Sequence, residues 1–341
     1  VQQDVQNILD VNAEDVMAVY NKYIKGENFI ATSMVPKGQM AQALEGSLKA
    51  DVVEEKIVQG AEETFDATIQ AEYERTPSSF DRSVEPPYGE APEVVIPKVW
   101  KADLNNGMKV LGIENDEVPL VQFNISIEGG LLLDDINKVG VANLTANLMT
   151  QGTQRKSPKE LEEAIAQLGA TLNISASTER ITITGNTLAK NYQQTMDLVE
   201  EMLLEPRWDE QEFTLRKQSV ISAIKQQEAN PNAIASNAYD ILIYGQNNIR
   251  SKNILGSESS VEGISIEDLK NYYAKYISPS VATMHVVGDI SEEAVMSSLN
   301  DLQSKWKAKA VEIPVYNTPK APDNHKSSSM MCPMQSNLYS T

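Results

Sequence analysis

The chain has 341 residues, 41% of them hydrophobic, and no apolar run near the roughly 18–20 residues that cross a bilayer, which predicts a sizeable soluble core and no membrane span. A net charge of −19 and a pI near 4.6 exclude nucleic acid or an anionic membrane as the main partner, because phosphate binding needs clustered Lys and Arg. The single cysteine, Cys332, excludes an internal disulfide and says little about redox compartment.

The first residues, VQQDVQNILD, show no basic segment followed by an apolar one, so no export signal is visible. Residues 11–35 echo residues 264–286. Glu14, Asp15, Val16, Tyr20, Lys22, Tyr23 and Ile24 correspond to Glu267, Asp268, Leu269, Tyr273, Lys275, Tyr276 and Ile277. In both copies acids open a helix, where its dipole favours them, apolar residues recur at helical spacing, and a strand is expected to follow. If the echo is a true repeat, residues 1–45 are the end of a domain whose front lies upstream. Residues 46–98, rich in Glu, Pro and Ser, read as an extended linker, and the acidic run at 50–63 as a solvated segment.

A compact α+β unit begins at residue 99. A turn at Asn106-Gly107 precedes strands at 108–114 and 120–127, and Gly129-Gly130 ends the second of them. Helices are expected at 138–151 and 158–168, alternating strands at 170–176 and 180–187, and three helices across 189–244. The echo helix and strand and a last helix at 291–306 complete an antiparallel sheet packed with several helices.

The helix in GVANLTANLMTQGT, residues 140–153, carries the functional question. Two histidines four apart on a helix, with a glutamate beside the second, can hold zinc on one face while the carboxylate activates the metal-bound water. The order of elements resembles the pitrilysin or insulinase family of zinc metallopeptidases, which includes the mitochondrial processing peptidase. In that family this helix carries His-x-x-Glu-His. The resemblance puts the two metal histidines at Asn143 and Asn147, the general-base glutamate at Ala146, the third zinc ligand at Ala223 and a supporting glutamate at Arg216. None of these residues can serve as its counterpart does: an amide is a weak zinc ligand, alanine offers no donor, and Arg216 repels a cation. The expectation is therefore no catalytic residue, no metal and no cofactor in this chain, with zinc in the catalytic half of a longer parent.

Other candidates read as structural. His285 lies in the echo strand and His325 in the tail, so they form no metal pair. Ser33, Ser327, Ser328 and Ser329 have no nucleophile elbow around them, and Gly129-Gly130 lacks the rest of a phosphate-binding loop. The resemblance makes residues 99–316 a complete third domain of a longer protein and residues 317–341 the start of a fourth. The composition shifts abruptly at SSSMMCPMQSNLYST, and a frameshift that ended the chain early is the expectation there.

What the resemblance implies is a non-catalytic, peptide-enclosing domain of a zinc metallopeptidase, inactive alone, from the C-terminal half of a two-lobed periplasmic or cell-envelope protein. Its partners would be the catalytic zinc-binding half and unfolded peptides held at strand edges. Separation from neighbouring domains favours self-association through uncovered apolar surface. Two alternatives stand beside it: a structural scaffold like the peptidase-derived core subunits of the respiratory bc1 complex, and an enzyme with a new site.

Overall fold

A computed structural model describes residues 2–46 and 96–316, with isolated positions between 80 and 89 and residue 319. Most of the expected linker and nearly all of the tail, including the acidic run, His325, Ser327, Ser328, Ser329, Cys332 and the frameshift segment, lie outside the described residues. The chain divides into two compact units, Val1–Gly89 and Glu90–Thr341.

The first unit holds α1 (Gln2–Leu9) and α2 (Ala13–Tyr23). The Asn12 side chain accepts the N–H groups of Glu14 and Asp15 at 2.8 and 3.1 Å, and the Asp15 carboxylate accepts the Asn12 N–H at 3.1 Å. This reciprocal cap satisfies donors that the first helical turn leaves free. No residue of α2 is buried.

The second unit runs, in chain order, β1 (Trp100–Asp103), β2 (Lys109–Glu114), β3 (Leu120–Glu128), α3 (Val141–Met149), α4 (Pro158–Gln167), β4 (Thr171–Ala176), β5 (Arg180–Leu188), α5 (Tyr192–Leu204), α6 (Glu210–Glu228), α7 (Pro231–Tyr244), α8 (Glu258–Glu262), α9 (Ile266–Tyr276), β6 (Ala282–Gly288), α10 (Glu292–Ser298) and α11 (Asn300–Lys305). The strands form one sheet in the order β1-β2-β6-β3-β5-β4. All pairings are antiparallel except β2 with β6, so the sheet is mixed where an antiparallel one was expected. The cause is topological: β6 enters the sheet after a long helical excursion and can run beside β2 in the same direction.

The core lies on one face of the sheet. Val121, Phe123, Ile125 and Ile127 of β3 are buried, as are Ile181 and Ile183 of β5 and Met284 and Val286 of β6. They meet Leu144 and Met149 of α3, Met202 of α5 and Leu269 of α9 in one continuous cluster. Each such side chain contributes about 1.5–3 kcal/mol through removal from water. Residues of the other parity are half-buried or exposed, apart from Ser126.

The two echo helices share their ends as well as their sequence. In α9, Ser265 and Asp268 cap each other as Asn12 and Asp15 do, and both helices close with an isoleucine N–H, Ile24 or Ile277, bonded to the carbonyl of Tyr20 or Tyr273. The strand expected after the first copy does not form: residues 27–36 have no regular structure. A strand exists through its ladder, and β6 has β2 and β3 on either side, whereas residues 27–36 pair with no strand among the described residues. The helix expected at 291–306 is two helices broken at Leu299, where Ser298 Oγ donates to the Val295 carbonyl at 2.7 Å and the Leu299 side chain is fully buried. The short elements β1 and α8 were not anticipated.

Two loops fix α3 in place. Gly130 has φ +55°, and a Cβ there would stand 2.2 Å from the Ser177 carbonyl oxygen, so only glycine lets this corner close on the β4–β5 hairpin. Gly140, with φ +114°, precedes α3 and brings no capping side chain. Asp134 supplies the cap from a distance, its two oxygens accepting the N–H groups of Gly140 at 2.8 Å and Ala142 at 2.9 Å. Burial pushes the Asp134 carboxyl up to about 7, against the pull of those bonds. A folded-state pKa above the ordinary 3.8 means that ionisation opposes folding. The associated stability is complete below about pH 4 and is lost as pH rises through 7, at most about 4 kcal/mol for a shift of about three units. Asp134→Asn should therefore match the parent to within about 1 kcal/mol at low pH, where the parent's carboxyl is itself neutral, and become the more stable of the two as pH rises from 4.5 to 8. Urea unfolding midpoints of both proteins across that range check this.

Candidate functional site

Asn143, Ala146 and Asn147 share one face of α3, as their spacing of three and four requires. Ala146 is fully buried and the two asparagines are half-buried. Arg216 and Ala223 lie on α6, which packs against α3. The side chains at these five positions are two amides, two methyl groups and a guanidinium. That donor set does not fit a zinc ion, which takes thiolate, imidazole or carboxylate. Among the described residues no three His, Cys, Asp or Glu side chains gather closely enough to hold a metal.

The polar groups there are tied to one another. Asn147 Nδ2 donates to the Asn143 carbonyl at 2.8 Å and to Asn143 Oδ1 at 3.2 Å. Thr150 Oγ1 donates to the Asn147 carbonyl, Gln151 Nε2 donates to Thr150 Oγ1, and Arg216 Nη2 donates to Gln151 Oε1 at 2.8 Å. The result is a relay of neutral hydrogen bonds from α3 to α6, closed by one cation. Gln151, which sequence reasoning missed, is the link. It stands four residues beyond Asn147 but two past the end of α3, so its part in the relay shows only in the packing of α3 against α6. Two donors, Asn143 Nδ2 and Arg216 Nε, are buried without a partner among the described residues. Each such orphan costs about 1–3 kcal/mol.

Immediately beyond the helix, Gly152-Thr153 forms a buried corner. Thr153 Oγ1 donates a short hydrogen bond to the Glu201 carboxylate of α5, and Lys156 Nζ lies 2.6 Å from the other oxygen of Glu201. Glu201 is 9% exposed. Burial pushes its carboxyl up, but the bonds from Lys156 and Thr153 outweigh this and hold it below the ordinary range. A lowered value means stability present above about pH 4.5 and lost as pH falls through the folded value. A double-mutant cycle of Lys156→Met and Glu201→Gln should give a coupling of about 1–3 kcal/mol at pH 7 that shrinks as pH approaches 3, read from urea unfolding.

The same end of α3 borders a hollow of about 480 Å³. Leu161 and Ile165 of α4, Leu172 of β4 and Met202 of α5 give it apolar walls, and Gln151 and Arg216 reach it from the relay. β4 is the last strand of the sheet, and among the described residues no strand pairs with its outer edge. An open edge presents main-chain donors and acceptors to any extended segment.

Residues 109–250 match the family model described as Insulinase (Peptidase family M16), and residues 263–337 match the model of the Peptidase M16 inactive domain. The chain belongs to the insulinase family. It is a peptidase-derived domain, and its last part matches the inactive-domain model. It is similar to the "non-peptidase homolog YmxG" of Helicobacter pylori, with 25% identity over 206 residues that cover 60% of this chain and 48% of that protein. Identity to the "uncharacterized zinc protease YmxG" of Bacillus subtilis is 24%, covering 63% and 53%. Identity to the probable mitochondrial-processing peptidase subunit beta of Arabidopsis thaliana is 23%, covering 61% and 39%. This insulinase-family chain thus spans about half the length, or less, of these relatives. Its fold is that of the peptidase M16 inactive domain from Pseudomonas fluorescens, with a TM-score of 0.61, 23% identity and coverage of 66% and 55%. It is also that of the periplasmic protease PqqL from Escherichia coli, with a TM-score of 0.60, 19% identity and coverage of 68% and 27%.

Proposed function

We propose that this chain is a substrate-contacting domain of a zinc metallopeptidase of the insulinase family, inactive on its own and acting beside a catalytic zinc-binding half of the same protein. The observation that carries this reading is the donor set on α3 and α6. Asn143, Ala146, Asn147, Arg216 and Ala223 occupy the stations that the family resemblance gives to metal and base, and offer neither a ligand nor a general base. The open edge of β4 supports peptide contact, since main-chain pairing holds an extended segment with little demand on its sequence.

The matched caps of α2 and α9 support residues 1–45 as the closing end of a preceding domain of the same fold. On this reading residues 46–98 join two domains, residues 99–316 form the peptide-contacting domain, and residues 317–341 lead into another. A periplasmic location is supported by the likeness to PqqL, whose name places that protein there. No helix among the described residues is long and apolar enough to cross a membrane.

The test is zinc content by elemental analysis after equilibration with zinc and dialysis, run beside peptide cleavage and the anisotropy of a labelled unfolded peptide. The expected outcome is near-zero zinc, no cleavage and saturable peptide binding. About one zinc per chain with chelator-sensitive cleavage overturns the non-catalytic reading, and absence of any peptide binding overturns the substrate-contacting one.

A further inference from the structure

The outer strand of the sheet has two unlike sides. On the helix side, beside Leu172, lies the hollow of about 480 Å³ under α4, walled by Leu161, Ile165 and Met202 and rimmed by Glu162, Gln151 and Arg216. On the open side Thr171, Asn173 and Ser175 head three rungs that run through β5, β3 and β6, the middle one being Asn173, Thr184, Asn124 and His285. A hollow of about 450 Å³ sits on these rungs, lined by side chains that include Gln122, Asn124, Asn173, Asn186 and His285.

Two features distinguish this open face from ordinary solvent-facing surface. The twelve positions of these rungs from β4 to β6 include no Asp, Glu, Lys or Arg, and charge enters the same rungs only far from the β4 edge, at Lys109 of β2 and Lys101 and Asp103 of β1. The amides of Gln122, Asn124, Asn173 and Asn186 make no side-chain hydrogen bond among the described residues. Depletion of charge is what the centre of a binding surface shows, and unpaired amides offer both donors and acceptors to an uncharged polar ligand.

A peptide that pairs with the outer edge of β4 becomes a seventh strand, and its side chains alternate between the two faces of the sheet. One set lies beside Leu172 and the hollow under α4, the other beside Thr171, Asn173 and Ser175. We propose that the edge of β4 selects extended peptides in which apolar residues alternate with uncharged polar ones, the apolar set entering the hollow under α4 and the polar set lying along the amide-lined face. The proposal rests on the reading of the chain as a peptide-contacting domain and adds the class of peptide. A strand exposed by an unfolded β-protein has this alternation.

The experiment measures binding of the whole chain to labelled eight-residue peptides with glycine–serine flanks, alternating Val/Thr, Val/Glu or Val/Lys, by fluorescence anisotropy in 150 mM salt. Val/Thr should bind at least ten-fold more tightly than either charged peptide, although the chain's net charge by itself favours Val/Lys. Asn173 is exposed, so Asn173→Lys should fold as the parent does and should shift the preference about ten-fold from Val/Thr towards Val/Glu. Equal binding of all three peptides, or tightest binding of Val/Lys, overturns the proposed selection and leaves peptide contact standing. A preference unmoved by Asn173→Lys overturns the placement of the polar set on this face. Failure of every peptide to bind overturns both readings.

Discussion

The register of β3 is the constraint on which the rest of this unit depends. It is the one strand that joins β5 to β6, and its side chains alternate between an apolar row, Val121, Phe123, Ile125 and Ile127, and a polar row, Gln122, Asn124 and Ser126. A slip of one residue would carry the amides into the helix layer and the apolar row into water. Burying a single unpaired amide or hydroxyl costs about 1–3 kcal/mol, so moving Gln122, Asn124 and Ser126 together would remove much of a typical domain's stability. The rungs of the open face and the apolar floor of the helix layer are therefore two consequences of one alternation.

The helix layer sits on that floor and carries the site. α3 is held between a remote carboxylate cap at its start and the Thr153–Glu201–Lys156 anchor beyond its end. Between these two fixed ends the face that bears Asn143, Ala146 and Asn147 is kept in place by groups that do not touch it. What remains at the centre is a hydrogen-bond relay that ends on Arg216 and leaves two buried donors unsatisfied. Unpaired buried donors are uncommon in folded proteins. Asn143 Nδ2 and Arg216 Nε share that condition with Trp100 Nε1, Thr145 Oγ1 and the Tyr192 hydroxyl among the described residues.

Strong periodicity made most of the second unit legible in the sequence. β3, β5 and α4 appear within a residue or two of their expected bounds because each combines a clean period with a strong terminator, Gly129-Gly130 for β3 and the Ser157-Pro158 cap for α4. The failures have physical causes. β1 has four residues, too few to show alternation, and is made a strand by pairing Trp100 to Asp103 against Gly112 to Lys109. The strand expected after α2 had sequence without a partner. The break at Leu299 lies in a run with good helical spacing, where burial of one leucine and one serine hydroxyl decided the geometry. At the site, the nature of each residue on α3 was legible, but Gln151 as the bridge to Arg216 emerged only when α3 and α6 were seen packed together.

The place of β6 in the sheet governs the order in which the unit can assemble. β2 and β3 are consecutive in the chain and yet do not pair; the gap between them is filled by β6, which ends at Gly288. Until that strand emerges from the ribosome, β2 and β3 each present a bare inner edge, and the apolar row of β3 has lost half of its neighbours. Sheet closure is thus a late, long-range event rather than a progressive one, of the sort that makes folding slow. A nascent chain of this unit must be kept from pairing with its neighbours until its last strand arrives.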